Sequence, residues 1–420
     1  MKFKPYEEYK KVDLPWIDEI PSHWEINKVK YLCRINTGTK DTIDRVDDGL
    51  YPFFVRSKKV YRINSFSYDG EAVLTAGDGD IGEIFHYIDG KFDYHQRVYL
   101  FSQFRNIKPK YFYYYLKSNL KNGIVMYTAK TTVNSLRLPW LKNFNFVLPP
   151  KEEQDKIAAF LDHNLAKIDK FVELTERQIE LLKEQKEVII NDAVTKGIDK
   201  NVEYKDSGID WIGEIPSHWE VIRLKYISKI LNGATPSSSV PEFWNGDISW
   251  ITPKDLSKVT KCIYDSDRKI TSEGYKSCST SLIPENNIIM ATRAPIGSIK
   301  INKTETTINQ GCKAILVDKS LIDLNYLYFS LNNSLEELQF LGNGSTFVEL
   351  SAYSLSQFKI NIPPKKEQKD IVAYIEEETN KIDRTIELYK KQVELIKEYR
   401  TSLISTAVTG KIDVRDFHIV

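Results

Sequence analysis

Three acidic side chains, Asp78, Asp80 and Glu83, stand close together in the run LTAGDGDIGE. Clustered carboxylates beside a core-strand lysine are what a metal-dependent nuclease needs. A polar turn between Gly77, Gly79 and Gly82 is the alternative reading, and the stronger one. Gly90-Lys91 and Gly410-Lys411 lack the surroundings of a phosphate-binding loop, and no dinucleotide-binding glycine fingerprint is expected after a strand. The double prolines lie in Leu-Pro-Pro-Lys and Ile-Pro-Pro-Lys, without the preceding Asn or Asp and the following aromatic ring that hold a target amine for methyl transfer. Histidine occurs only six times, so no Ser/His/Asp set is suggested. His23 and His218 sit in a repeated PSHW motif and read as rings packed beside Trp24 and Trp219. Cys33, Cys262, Cys278 and Cys312 form no CxxC pair and read as reduced thiols, as in a cytoplasmic protein.

The elements around these residues are duplicated. Residues 16–25 read WIDEIPSHWE and residues 211–220 read WIGEIPSHWE, identical at nine of ten positions at an offset of 195. Glu8-Tyr9-Lys10 and Lys30-Tyr31 recur as Glu203-Tyr204-Lys205 and Lys225-Tyr226. A second pair, PPKEEQ at 149–154 and PPKKEQ at 363–368, lies at an offset of 214, and each opens a long charged stretch closing in AVTKGID or AVTGKID. The order is therefore block, variable region, long segment, twice over.

Both long segments are free of proline after the double proline and carry apolar residues at alternating spacings of three and four. That spacing is a coiled-coil seam. It comprises Ile157, Leu161, Ile168, Val172, Ile179 and Leu182 in the first helix and Ile371, Ile375, Ile382, Ile386, Val393 and Ile396 in the second. Lys186 and Arg400 fall on the same register. A helix from 157 to 193 is about 54 Å long and cannot bury one stripe by itself, so its repeat is the expected partner. Glu173, Glu176, Glu180 and Lys183 read as a solvated face. In the variable regions, AVLTA (72–76), RVYLF (97–101), NIIMAT (287–292) and KAILV (313–317) predict strands, and 109–122 and 323–340 predict short helices.

With 420 residues, 41% hydrophobic and 28% charged, the chain can bury two or three cores, which excludes a disordered or fibrous protein. No apolar run is long enough to cross a membrane, and no signal peptide is expected in MKFKPYEEYKKVD. The net charge of +1 neither announces nor excludes a nucleic-acid partner, since a local patch suffices. By region, 38–148 holds 16 basic against 11 acidic residues, 233–362 holds 12 against 13, and 151–199 holds 8 against 12.

The succession W-I-x-E-I-P-S-H-W-E, variable region, P-P-K-x-E-Q, long helix and A-V-T, twice over, resembles the specificity subunit of type I restriction–modification systems. Arg293-Ala-Pro-Ile-Gly297, Ile308-Asn-Gln-Gly-Cys312 and Gly344-Ser-Thr-Phe347 look like family features of the second module. The first departs from them, with Gly77-Asp78-Gly79-Asp80 and Tyr94-His95-Gln96-Arg97 at the related places. The resemblance implies an α+β chain: two α/β target recognition domains joined by two long helices in an antiparallel coiled coil, with an internal pseudo-two-fold repeat. The boundaries it suggests are 1–148, 149–200, 201–362 and 363–420. It implies a non-catalytic subunit that binds an asymmetric bipartite double-stranded DNA target, one half per domain. The coiled coil would set the spacer. Two modification subunits would carry S-adenosylmethionine and methylate adenine, and two motor-nuclease subunits would use ATP and Mg. This chain itself would bind no cofactor or metal.

On that reading the expected DNA contacts are Arg56, Lys58, Lys59, Arg62, Lys130, Thr131 and Thr132 in the first module and Arg293, Gln310, Lys313, Ser345 and Thr346 in the second. Arginine suits guanine and glutamine suits adenine. Part of the phosphate neutralisation is expected from the modification subunits. Two other classes stay open on the sequence alone: a self-contained methyltransferase or nuclease, and an assembly scaffold whose modules bind protein.

Overall fold

The computed structural model describes residues 4–128, 135–293, 296–342 and 349–418. The chain divides into two compact units, Met1–Arg177 with Tyr389–Val420, and Gln178–Leu388. Two helices, α1 (Lys151–Lys196) and α2 (Lys365–Val408), each give one part to each unit.

The first unit is organised by a buried carboxylate. Glu153, from PPKEEQ, accepts hydrogen bonds from Trp24 Nε1 at 3.0 Å and the Tyr6 hydroxyl at 3.0 Å, and meets His23 Nε2 at 2.7 Å. Its neighbour Gln154 is fully buried; it donates to the Pro149 carbonyl and accepts from the Lys108 amide. The end of α2 closes the frame, where the Val408 carbonyl accepts from the Tyr111 hydroxyl. Gly410, at φ +75°, lies against Pro21 and Trp24, where a Cβ would fall 2.5 Å from the proline ring. A positive φ just past a helix end is where glycine is favoured.

The second unit repeats these contacts. Glu367 accepts from Trp219 Nε1 at 3.0 Å and meets His218 Nε2 at 2.8 Å. Gln368 bridges the Pro363 carbonyl and the Asp323 amide. The Tyr326 hydroxyl donates to the Val194 and Asn361 carbonyls, and Gly197, also at φ +75°, abuts Trp219. The repeated sequence blocks are therefore repeated because they bond to one another. His23 and His218 are each hydrogen-bonded to a glutamate; the His218 ring lies against Trp219, whereas the His23 ring lies against Tyr6.

Within each unit the two helices run antiparallel. In the first, Asp169 pairs with Arg400 at 2.9 Å and Glu176 with Lys397 at 3.0 Å. In the second, Lys186 pairs with Asp383 at 2.6 Å. Asp169–Arg400 and Asp383–Lys186 are the same pair in the two copies, so both cations on the apolar seam have carboxylates on the facing helix. Exposed pairs of this kind contribute ~0–1 kcal/mol; their use is in fixing register. Ile157, Leu161, Ile168, Ile179, Ile371, Ile375, Ile382, Ile386 and Val393 are buried, and Val172, Leu182 and Ile396 half-buried. Glu173 and Glu180 lie on the exposed face, paired with Lys170 and Lys183.

The first module has a four-stranded antiparallel sheet of β1 (Arg34–Thr37), β2 (Ala72–Ala76), β3 (Phe85–Ile88) and β4 (Val98–Ser102), in the order β1-β4-β2-β3. Every residue of β2 is buried. A second sheet carries Tyr51–Phe54 and Lys91–Tyr94 at its centre. The helix Pro109–Thr128 lays Tyr111, Phe112, Tyr115 and Leu116 into the core with Val73 and Phe101.

The second module repeats this order with β5 (Ser228–Asn232), β6 (Cys262–Ile263), β7 (Ile288–Ala291), β8 (Ile299–Asn302) and β9 (Cys312–Val317), arranged β5-β9-β7-β8-β6. A smaller sheet is centred on Trp244–Ile251. The predicted helix 323–340 is two helices, Leu324–Asn333 and Leu335–Gly342. The break falls at Ser334, whose hydroxyl donates back to the Ser330 carbonyl. Asp323 caps the first of them by accepting from the Asn325 and Tyr326 amides.

Replacing Glu153 or Glu367 by Gln keeps the shape but removes the charged acceptor from a buried tryptophan N–H. Each change is expected to destabilise its own unit by about 1.5–3 kcal/mol, read as a lower denaturation midpoint. His23→Ala, at an exposed ring, is expected to cost less.

Candidate nucleic-acid interface

The strand ends of the two modules build one edge on the same backbone plan. After β2, the Gly77 amide donates to the Arg97 carbonyl at 2.8 Å; after β7, the Thr292 amide donates to the Gly311 carbonyl at 2.9 Å. The next residues form isolated bridges, Asp78 with Ser135 and Arg293 with Glu349. Returning amides close both, Leu136 to the Gly77 carbonyl at 2.7 Å and Leu350 to the Thr292 carbonyl at 2.9 Å. By this registration His95-Gln96-Arg97 stands where Asn309-Gln310-Gly311 stands. Gly38 and Gly233 are packed so closely that a Cβ would lie 2.0 Å from the Tyr94 carbonyl oxygen and 1.9 Å from that of Asn309. Only a residue without a side chain permits that approach.

On this common plan the side chains differ. In the first module Asp78 accepts from Arg56 at 2.9 Å and from Arg97 at 2.8 Å. Partial burial pushes the Asp78 carboxyl up, and the two guanidiniums more than reverse this, holding it below the usual carboxylate range. Gln96 donates to Asp41 at 2.7 Å. A depression of about 320 Å³ opens between Asp78, Gln96 and Arg97. In the second module Glu349 accepts from Arg293 at 3.0 Å and lies 3.5 Å from the Lys313 ammonium, while Thr235 donates to Gln310. Burial pushes the Lys313 ammonium down, and Glu349 only partly restores it.

The expected contact residues separate into three groups. Arg56, Lys58, Lys59, Arg293 and Gln310 are exposed. Lys59 lies over the Tyr61 ring, 5.3 Å from its centroid. Arg62 is exposed as well, while donating to the Gly49 and Leu50 carbonyls, whereas the Lys313 side chain is only 5% exposed. Lys130, Thr131, Thr132, Ser345 and Thr346 lie outside the described residues. Arg97 was not singled out by sequence, although it stands in the HQR run opposite NQG and is 62% exposed.

The acidic run does not converge on one point. Asp78 is held by two arginines, Glu83 pairs with Lys121, and Asp80 is exposed. Among the described residues no group of three His, Cys, Asp or Glu side chains is placed to hold a metal. One glycine run does follow a strand, contrary to the sequence expectation: Gly77-Asp78-Gly79-Asp80-Ile81-Gly82 directly after β2. It leads into β3, so no helix N-terminus is offered to a phosphate, and its two aspartates oppose an anion. Among the described residues, no helix is long and apolar enough to cross a membrane.

Residues 21–184 and 216–398 each match the type I restriction modification DNA specificity domain. The chain belongs to this family and is a specificity subunit, a non-catalytic component with two DNA specificity domains. It is 37% identical over 205 residues to the type I restriction enzyme MjaIX specificity subunit of Methanocaldococcus jannaschii, covering 48% of this chain and 45% of that one. The chain thus spans less than half the length of that relative. A putative type I restriction enzyme MjaX specificity subunit of the same organism is 26% identical over 453 residues and is covered over 99% of both chains. The fold matches a chain solved in work on complex assembly and conformational transition of the type I R-M system, with a TM-score of 0.71 at 16% identity, over 94% of this chain and 99% of that one. It also matches the HsdS subunit from Thermoanaerobacter tengcongensis, with a TM-score of 0.57 at 16% identity, over 94% and 98%.

Gly38→Ala and Gly233→Ala are expected to displace the 94–97 and 309–311 backbones respectively. Each should cost about 1–3 kcal/mol of stability and speed amide hydrogen exchange at its own edge while leaving the other module's edge unchanged.

Proposed function

We propose that each α/β module binds one half of an asymmetric bipartite DNA target, with the long helices setting the spacer between halves. The repeated frame holds two modification subunits, which methylate adenine with S-adenosylmethionine. Two motor-nuclease subunits, using ATP and Mg, complete the restriction enzyme, which acts in the cytoplasm. The segments 1–148 and 201–362 serve as recognition domains, and 149–200 and 363–420 as the spacing helices with the C-terminal tail. The observation that carries this reading is the edge shared by both modules: the same backbone hydrogen bonds present different side chains, Asp78 against Arg293 and Arg97 against Gly311. Two readers built on one scaffold suit two different half-sites. Arg56, Lys58, Lys59, Arg97, Arg293 and Gln310 are the DNA-facing side chains of these edges. Lys313 acts from beneath through Glu349.

The test is methylation mapping. The chain is co-expressed with its modification subunit in a host that lacks adenine methylation. A two-part motif with a fixed spacer, absent when this chain is omitted, is the expected result. Methylation unchanged without the chain would place specificity elsewhere. An intact complex that binds S-adenosylmethionine but methylates nothing would favour a protein-binding scaffold.

Two variants refine it. Removing one four-residue turn from each long helix at matched positions is expected to shorten the mapped spacer; an unchanged spacer would end the ruler model. Arg293→Ala is expected to relax one position of one half-site, at about 1–3 kcal/mol of discrimination. Equal weakening on every duplex would instead mark a phosphate contact.

A further inference from the structure

The edge of each module carries a carboxylate set deeper than the guanidinium it holds. Asp78 is 18% exposed, against 40% for Arg56 and 62% for Arg97. Glu349 is 32% exposed, against 48% for Arg293, with Lys313 buried on its other oxygen. The acids do not occupy equivalent places. Asp78 stands where Arg293 stands, and Glu349 stands where Ser135 stands, on opposite sides of the same backbone bridge. Two modules with different sequences thus reach one arrangement by different residues.

Stability does not account for this, because part-exposed ion pairs contribute little. Affinity does not account for it either, since a carboxylate on a DNA-facing edge repels phosphate. Orientation does. Arg56 and Arg97 each give one terminal nitrogen, Nη1, to Asp78, which leaves the remaining guanidinium donors for another acceptor. Arg293 gives its Nε to Glu349, and among the described residues its two terminal amino groups meet no other acceptor. Those two groups form the fork that spans O6 and N7 of guanine. A guanidinium fixed before binding loses less freedom when it reads a base.

Building on the DNA-specificity reading above, we propose that Asp78 and Glu349 are specificity-determining positioning residues, each orienting the arginines of its module toward base edges. They touch no base themselves and act through Arg56 with Arg97, and through Arg293.

The test uses the full chain in complex with its modification subunit, bound to the mapped target and to duplexes changed one base pair at a time in each half. Asp78→Asn is expected to lose roughly tenfold of discrimination at one or two positions of a single half-site. Affinity for unrelated DNA should hold or rise, because a negative charge is removed. Glu349→Gln is expected to do the same in the other half only. Asp78→Glu, which keeps the charge, should retain more discrimination than Asp78→Asn. Arg56→Ala combined with Arg97→Ala should relax the positions that Asp78→Asn relaxes, and adding Asp78→Asn to that pair should make it no worse. Fully additive losses, or an effect spread evenly over both halves, would overturn the proposal. So would Asp78→Asn with discrimination intact while the native complex shows half-site preference; the specificity reading would then stand. A native complex without any half-site preference would overturn both.

Discussion

The structure depends on a carboxylate held against a buried tryptophan. Glu153 and Glu367 each accept an indole N–H and meet a histidine ring, drawing the start of a long helix onto a block more than a hundred residues away. A buried carboxylate left without donors would be expensive, and so would a buried indole N–H without an acceptor. Neither partner is tolerable without the other, so the junction is specific. The glutamine that follows each glutamate extends it, tying the helix start to a second backbone segment. The end of the other long helix then packs on the same tryptophan through a glycine.

This junction explains why the duplicated blocks stay alike while the regions between them do not. The frame is made of side chains that bond to one another, and a change in one orphans the next. The modules hang on strands whose backbone hydrogen bonds are indifferent to the side chains they display. Gly38 and Gly233 show where that indifference ends: the chain passes so close to a carbonyl that only glycine fits. Beyond those points the edge is free to carry Asp78 and Arg97 in one module and Arg293 and Glu349 in the other.

Charge follows the same division. The chain as a whole is near neutral, and the second module is slightly acidic. What distinguishes the two edges is local placement: exposed guanidiniums above deeper carboxylates. On the helices the matched pairs Asp169–Arg400 and Asp383–Lys186 place a charge on an otherwise apolar seam, where it favours one antiparallel register over its neighbours.

Sequence alone determined the duplication, the two long helices with their seam, the strands AVLTA, RVYLF, NIIMAT and KAILV, and the family resemblance. These rest on local spacing and on identity between two stretches of one chain, which need no knowledge of distant contacts. The junction residues were visible as repeats, but that Glu153 bonds to Trp24 was not, because over a hundred residues separate them. The edge was legible only in part. Arg56, Lys58, Lys59, Arg62, Arg293 and Gln310 are exposed, Arg62 while donating to two carbonyls, whereas Lys313 is buried. Arg97 and Asp78 became a pair only when β2 and β4 met in register. The break at Ser334 likewise falls at no proline or glycine; there the Ser334 amide turns to the Leu331 carbonyl and ends the first helix. Residue type states what a side chain is able to bond. Which bond it makes was decided by the tertiary structure, because each donor is matched to whichever acceptor the packed strands and helices bring within about 3 Å.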